Sequence, residues 1–250
     1  MVDSKVHSRC LSTIFAYQHK PSLKFYPKLF ESATTITDYE GWETTGLQVT
    51  FSDFKTKSVA TLSYRQIDMQ LDHNNDFTLE ARRISQLVNE LPAKLGIEKF
   101  TRIGLRRKYL IPVSMEFAQL VCIMQEKFIA KNPIFEEAFP GTFQDLMFRF
   151  DYLKNSTRFL ITLGPVRKVE AQNHIPPNKK HFDRMSTKEA IELLDSYPDT
   201  SMLIDIDAFI GPTDEGTPIN QLATAKDNLL KDLEVAILAL RKHVFASEVV

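Results

Sequence analysis

The sequence predicts an α+β fold: an antiparallel sheet with helices packed on one face and a long C-terminal helix. Three observations carry that expectation. Ile67, Met69 and Leu71 alternate with Gln66, Asp68 and Gln70, and a period of two marks a strand with one buried and one wet face. Leu146, Phe148, Phe150 and Tyr152 alternate in the same way, then Lys154-Asn155-Ser156 supplies a turn before Phe159, Ile161 and Leu163, which reads as a β-hairpin. Between and after these stretches, apolar residues recur at three- and four-residue spacing, the signature of helices with one apolar stripe.

Composition sets the frame. The chain has 250 residues, 43% hydrophobic and 25% charged, enough apolar material for a sizeable core in a single domain spanning 1–250. Residues 1–20 read as a candidate flexible N-terminal segment, and 167–184, with Pro176-Pro177, Lys179-Lys180, His174 and His181, as a long loop or arm. A formal charge of −1 from 31 basic and 32 acidic residues argues against a surface coated with positive charge for sequence-blind nucleic-acid binding. The two cysteines, Cys10 and Cys122, suggest neither a disulfide framework nor a metal site and fit a reducing compartment. No stretch approaches the roughly 18 apolar residues of a membrane span and no export signal is evident, so a cytoplasmic protein is expected.

Taken in order, strands are expected at Leu23 to Phe30, Leu47 to Phe54 and Ser58 to Leu71, with Lys55-Thr56-Lys57 joining a hairpin. Ile84, Leu87, Val88, Leu91 and Leu95 then follow helical spacing, with Pro92 to kink or shorten the helix and Gly96 to stop it. Phe100 to Val113 reads as strand. Ser114 is placed to cap a helix whose Phe117, Leu120, Val121, Met124 and Phe128 form one face, with Cys122, Ile123 and Ile129 making its other sides apolar too. Ser186-Thr187-Lys188-Glu189 is a capping box, and Ser201 to Phe209 is a further strand. Thr217 and Pro218 suit the start of the last helix, striped by Leu222, Leu229, Leu233, Ala236, Ile237 and Leu240.

The residues with chemical potential centre on Phe100 to Ile111. Alternation there separates Ile103, Leu105, Tyr109 and Ile111 from Arg102, Gly104, Arg106 and Lys108. The cations can hold a carboxylate or phosphate, and a missing side chain at Gly104 lets a ligand or another backbone approach. The plainer alternative is a solvated face paired with acids on a neighbouring strand, Asp205 and Asp207 being the candidates, with Asp151 a third. Asp205 and Asp207 also carry the rival reading of a Mg²⁺ pair for phosphoryl transfer, although no Gly-rich phosphate loop or nucleophile motif accompanies them. His174 and His181 lack a metal-ligand spacing, and Phe135, Phe139 and Phe143 read as packing for a loop.

The strand from Phe100 to Arg106, the late Leu203 to Phe209 strand and the long terminal helix together resemble a sporadically distributed family of uncharacterised bacterial proteins of similar length. Its members continue the central motif with an aromatic residue and then Asn, whereas Arg107, Lys108 and Tyr109 follow here. The resemblance implies a bacterial cytoplasmic α+β protein, in a defence or mobile-element setting, and transfers no catalytic residue. With no complete catalytic constellation and no cofactor motif, the sequence favours a non-enzymatic interaction or regulatory component that works with a protein partner or as a homodimer. Arg102, Gly104, Arg106 and Lys108 are its candidate anion- or partner-binding residues. A metal-dependent enzyme acting on a nucleotide or nucleic acid and a sensor of an anionic small molecule are the alternatives.

Overall fold

The computed structural model describes residues 9–20, 28, 29, 31, 39–72, 76–129, 137, 138, 141–173 and 186–245. The strands are β1 Arg9–His19, β2 Gly41–Thr45, β3 Gln48–Asp53, β4 Ser58–Ser63, β5 Gln66–Asp72, β6 Lys99–Pro112, β7 Phe148–Lys154, β8 Thr157–Arg167, β9 Thr200–Ile210 and β10 Thr217–Pro218. They form one ten-stranded sheet in the order β2-β3-β4-β5-β1-β6-β9-β8-β7, with β10 on the end of β6, and every pairing is antiparallel. The helices include α1 Phe77–Ser85, α2 Leu91–Leu95, α3 Phe117–Phe128, α4 Lys168–Asn173, α5 Thr187–Asp195 and the terminal α6 Leu222–Phe245. The expected α+β architecture is what the chain adopts. Among the described residues, no helix is long and apolar enough to cross a membrane.

The sheet is built twice over on one plan. A first strand, β1 or β6, is followed by an antiparallel meander, β2 to β5 or β7 to β9, whose last strand returns to pair with the first. A helix then follows each meander. The two first strands meet at the centre, where Phe15 faces Leu105, Thr13 faces Arg107 and Tyr17 faces Ile103. The arrangement approximates a twofold axis through the Phe15 and Leu105 pair, although the two halves show no legible sequence repeat.

One face of this sheet holds the main core. Phe15 and Tyr17, Ile67 and Met69, Ile103 and Leu105, and Ile204 and Ile206 are buried there against α1, α2, α3 and α6. α6 supplies Leu222, Leu229, Leu233 and Ile237, four of the stripe residues read from the sequence. Its 24 residues span about 36 Å. A smaller cluster on the opposite face packs Ala171 of α4, Leu193 of α5 and Tyr197 over Leu110, Leu203 and Val166. Those two short helices cover one end of that face; the rest is polar and only partly exposed, with the Arg106 side chain 42% in solvent but Asp205, Asp72 and Ser12 buried.

Several expectations are corrected. Residues 9–19 of the expected flexible N-terminal segment are β1, a central strand with Leu11, Phe15 and Tyr17 fully buried. Ser58 to Leu71 is a hairpin, because the Ser63 hydroxyl accepts from the Gln66 N–H and donates to its carbonyl, closing a turn at Tyr64-Arg65. Glu116, and not Ser114, caps α3 in a reciprocal box with Gln119. Thr217 and Pro218 pair with Phe100 and Lys99 as β10, and the terminal helix starts after a 3₁₀ turn at Ile219–Gln221. Of the strand expected at Leu23 to Phe30, Lys28 and Leu29 are helical and 23–27 and 30 lie outside the described residues. The proposed arm at 167–184 begins instead with the end of β8 and α4, while 174–184 lie outside the described residues.

Other readings hold. Lys57, at positive φ, turns the chain from β3 to β4. Pro92 cannot donate to the carbonyl of Val88, and the helix widens into a π turn at Gln86–Glu90 before α2, which Gly96 ends in the left-handed region. The Tyr17 hydroxyl donates to the Leu87 carbonyl at 3.1 Å within that widened turn. Ser186 and Glu189 form the capping box of α5. The hairpin at 148–163 is present with Asn155 at positive φ, and Phe159 and Ile161 are buried as expected. Phe148 is only half-buried and Phe150 is 39% exposed. Their strand is the last in the sheet, and aromatic contact from α3 reaches them through Phe128.

Candidate functional site

The polar face is assembled from the register. On β6 it carries Arg102, Gly104, Arg106 and Lys108, the four residues singled out by sequence. Arg106 lies opposite Asp207 and Lys108 opposite Asp205 on β9, and residues facing each other across an antiparallel ladder share a face. β1 adds Ser12, Ile14, Ala16 and Gln18, and β5 beyond it adds Gln66, Asp68, Gln70 and Asp72.

The structure therefore brings the predicted cations and acids together, and it shows how they are engaged. Arg106 grips Asp205 with two hydrogen bonds, Nε to Oδ1 at 2.8 Å and Nη2 to Oδ2 at 2.6 Å. This planar fork is the strongest form of guanidinium recognition and keeps the Arg106 pKa above its ordinary value. Lys108 Nζ stands 4.0 Å from the same carboxylate. Burial pulls the Lys108 pKa down, Asp205 opposing it. Arg102 lies 3.6 Å from Asp207 and 4.4 Å above the centre of the Phe209 ring, a salt bridge and a cation–π contact made by one side chain.

Gly104 has a definite role in this packing. A Cβ there would come within 3.3 Å of the Phe209 Cβ and 3.8 Å of Arg102 Nη2. The room expected for an approaching ligand is occupied by Phe209 and Arg102. Across the seam the polar surface continues as a relay: Gln18 donates to Gln66 at 3.5 Å, Gln66 to Asp68 at 3.1 Å, and Gln70 to Asp72 at 2.7 Å. The β5 members were legible as a wet strand face but not as part of this surface, because only β1 carries them next to β6.

Burial is the largest influence on two of the acids. It raises the carboxyl of Asp68, opposed by hydrogen bonds from Gln66 and Thr61, and that of Asp207, opposed by Arg102 and Arg106. A carboxyl whose folded pKa is raised contributes stability that is present below its unfolded pKa and lost as pH climbs through the folded value. Asp207→Asn is therefore expected to hold or raise the melting temperature near neutral pH, with the gap from wild type closing in acid. A clear loss at neutral pH, measured by thermal denaturation across a pH series, would show that the Arg102 contact outweighs the cost of burying the charge.

The rival metal reading requires acids free to coordinate. Asp205 is held by Arg106 on both oxygens, Asp207 is shared with Arg102, and Asp151 is paired with Arg158 at the far side of the sheet. Among the described residues, no group of three or more His, Cys, Asp or Glu side chains converges. Cys10 lies under the opposite face, where burial pushes its thiol up to about 11, so it is a poor nucleophile. Phe143 packs against the core, while Phe135, Phe139, His174 and His181 fall outside the described residues.

Two pairs of charged residues were not legible in the sequence. Arg107 alternates onto the apolar face and is buried with Glu80 of α1, to which it is hydrogen-bonded; Thr13 Oγ1 also donates to that carboxylate at 3.0 Å. A lone arginine in step with Ile103, Leu105 and Tyr109 was the available signal, since a guanidinium on a core face demands a buried acid. Arg83 and Asp53 repeat the device beneath β3, 2.7 Å apart, with Tyr39 stacked on the guanidinium. No protein-family model matches the chain, and no curated protein matches it significantly.

Proposed function

We propose that the chain is a non-enzymatic interaction or regulatory component whose polar sheet face docks a protein partner. The observation that carries this reading is the internal neutralisation of that face: each β6 cation already has a β9 carboxylate within 4.0 Å. A free phosphate or a small anion would have to displace a carboxylate held by a fork of hydrogen bonds, so a sensor of anions gains little here. A protein surface can instead match the pattern of paired charges and amides without breaking it, and such patterns confer specificity. The engagement of Asp205 and Asp207 likewise favours docking over the metal-dependent enzyme. The resemblance of the Phe100 to Arg106 strand supports a bacterial cytoplasmic setting, alongside defence or mobile genes, as part of the same proposal.

Affinity capture from the native host, run with wild type, Arg102→Ala and Arg106→Ala, tests the reading when combined with melting curves. Arg102→Ala is expected to cost only about 1 kcal/mol of stability, because both partners are partly in solvent, and Arg106→Ala more than that, because it leaves the buried Asp205 with Lys108 at 4.0 Å. Capture should nonetheless be lost, and high salt should mimic that loss. Nucleotide turnover with Mg²⁺ that Asp205→Asn abolishes would overturn the proposal in favour of the enzyme. Capture unchanged in both variants would remove the polar face from it.

A further inference from the structure

We infer that two copies of this chain join edge to edge through β7, pairing antiparallel about a twofold axis at Phe150 so that the sheet continues from one copy into the other. The inference deepens the proposed interaction role and rests on it, naming a second copy as one partner. It starts from the two ends of the sheet, β2 and β7. Among the described residues nothing pairs with the outer side of either strand. An exposed edge is a row of unmet N–H and C=O groups, and proteins that must stay apart blunt it with charge. β2 is blunted in this way: Glu43 sits at its middle, so pairing with its own copy about that centre would oppose two carboxylates.

The order of residues along β7 has the opposite effect. For two copies of one strand to pair across a twofold axis normal to the sheet, facing residues must share a face, so the axis passes through a residue. With the axis at Phe150, Arg149 faces Asp151 of the second copy and Asp151 faces its Arg149, both on the polar face. On the helix-bearing face Phe150 meets its own counterpart and Phe148 meets Tyr152, while Met147 meets Leu153 beside the charges. In chemical terms the segment reads the same in both directions. Axes one residue to either side would oppose two Asp151 carboxylates or two Arg149 guanidiniums, and an axis at Tyr152 would leave Asp151 facing Leu153.

Exposure supports the same pairing. Met147, Phe150, Tyr152 and Leu153 are large apolar side chains left in solvent, and the second strand would cover this cluster. The aromatic side of the edge is already ordered, since Phe128 of α3 lies 5.1 Å from the Phe148 ring and 6.3 Å from that of Phe150. Arg158 of the same hairpin donates to both Asp151 oxygens, and each carboxylate oxygen keeps a second lone pair that can accept from the other copy's guanidinium.

The test is the mass of the full chain over a concentration series, by sedimentation equilibrium or light scattering, with far-UV circular dichroism to verify that each variant is folded. Wild type should climb from 28.7 kDa toward twice that mass. Arg149→Asp or Asp151→Arg alone sets like charges opposite each other twice, and each should hold the chain at the monomer mass. Arg149→Asp combined with Asp151→Arg restores opposite charges at both positions and should bring the dimer back. A wild type that stays monomeric at its highest soluble concentration, a dimer that survives both single reversals, or a folded double variant that stays monomeric would overturn the inference. A monomer that still captures a protein partner through Arg106 sinks the edge pairing alone and leaves the proposed function standing.

Discussion

Replacing Glu80 by Ala is expected to destabilise the fold by about 3–5 kcal/mol, the cost of leaving a buried charge without its partner. Glu80 is 4% and Arg107 3% exposed, so neither side chain can recover water by a small rotation. The guanidinium would be left beneath α1, beside Cys10 and Tyr109, two groups that burial keeps protonated, and the Thr13 hydroxyl would lose its acceptor. The double replacement Glu80→Leu with Arg107→Met should return most of that stability, because a well-packed apolar pair avoids the desolvation of two charges. Urea denaturation of wild type, Glu80→Leu, Arg107→Met and the double variant closes the cycle, with an unchanged slope needed to compare midpoints. A single replacement costing under about 1 kcal/mol would mean that water reaches the pair.

The origin of this pair also marks where reading the sequence stops. The split of β6 into an apolar and a charged face follows from period two alone, and the partnership of its cations with Asp205 and Asp207 follows once β9 shows the same period. Both were legible because alternation reports which face a residue occupies. β1 hid itself for the converse reason. Ile14 and Ala16 lie on its polar face while Thr13 is buried on the other, so its apolar and polar residues do not sort by parity. A central strand with neighbours on both sides and a second cluster over one end has no consistently wet side to reveal it.

Helical spacing places Glu80 and Arg83 of α1 in step with the apolar Ile84 and Leu87, but it cannot say what they meet: both are buried against the sheet, because Arg107 and Asp53 wait there. The partners lie 27 and 30 residues away, beyond any local pattern. The doubled plan of the sheet was equally silent. Topology can repeat where sequence does not, since each position answers to its own neighbours: Gly104 to Phe209 and Arg102, its facing residue Ala16 to Asp68.

Phe159→Ala should cost about 3–5 kcal/mol, the usual loss for a fully buried phenylalanine, whereas Phe150→Ala, two positions from the start of the partner strand, should cost less than half of that. Phe159 is 1% exposed. It faces Ala208 on one side and Tyr152 on the other, with the Tyr152 ring stacked at 5.1 Å. The small side chain of Ala208 makes the room that Phe159 fills, and truncating the ring opens a cavity that flanking β-strands cannot collapse into without breaking register. Phe150 occupies the same face one strand outward, but with 39% of its surface in solvent it removes less apolar area from water on folding. The two replacements should separate stability from assembly: at dilute concentration, where the chain is monomeric, Phe159→Ala melts far earlier than Phe150→Ala, while on concentration Phe150→Ala is the one that weakens the dimer. Equal losses of melting temperature in dilute solution would mean that Phe150 is covered after all, and the edge on which the pairing depends would not exist.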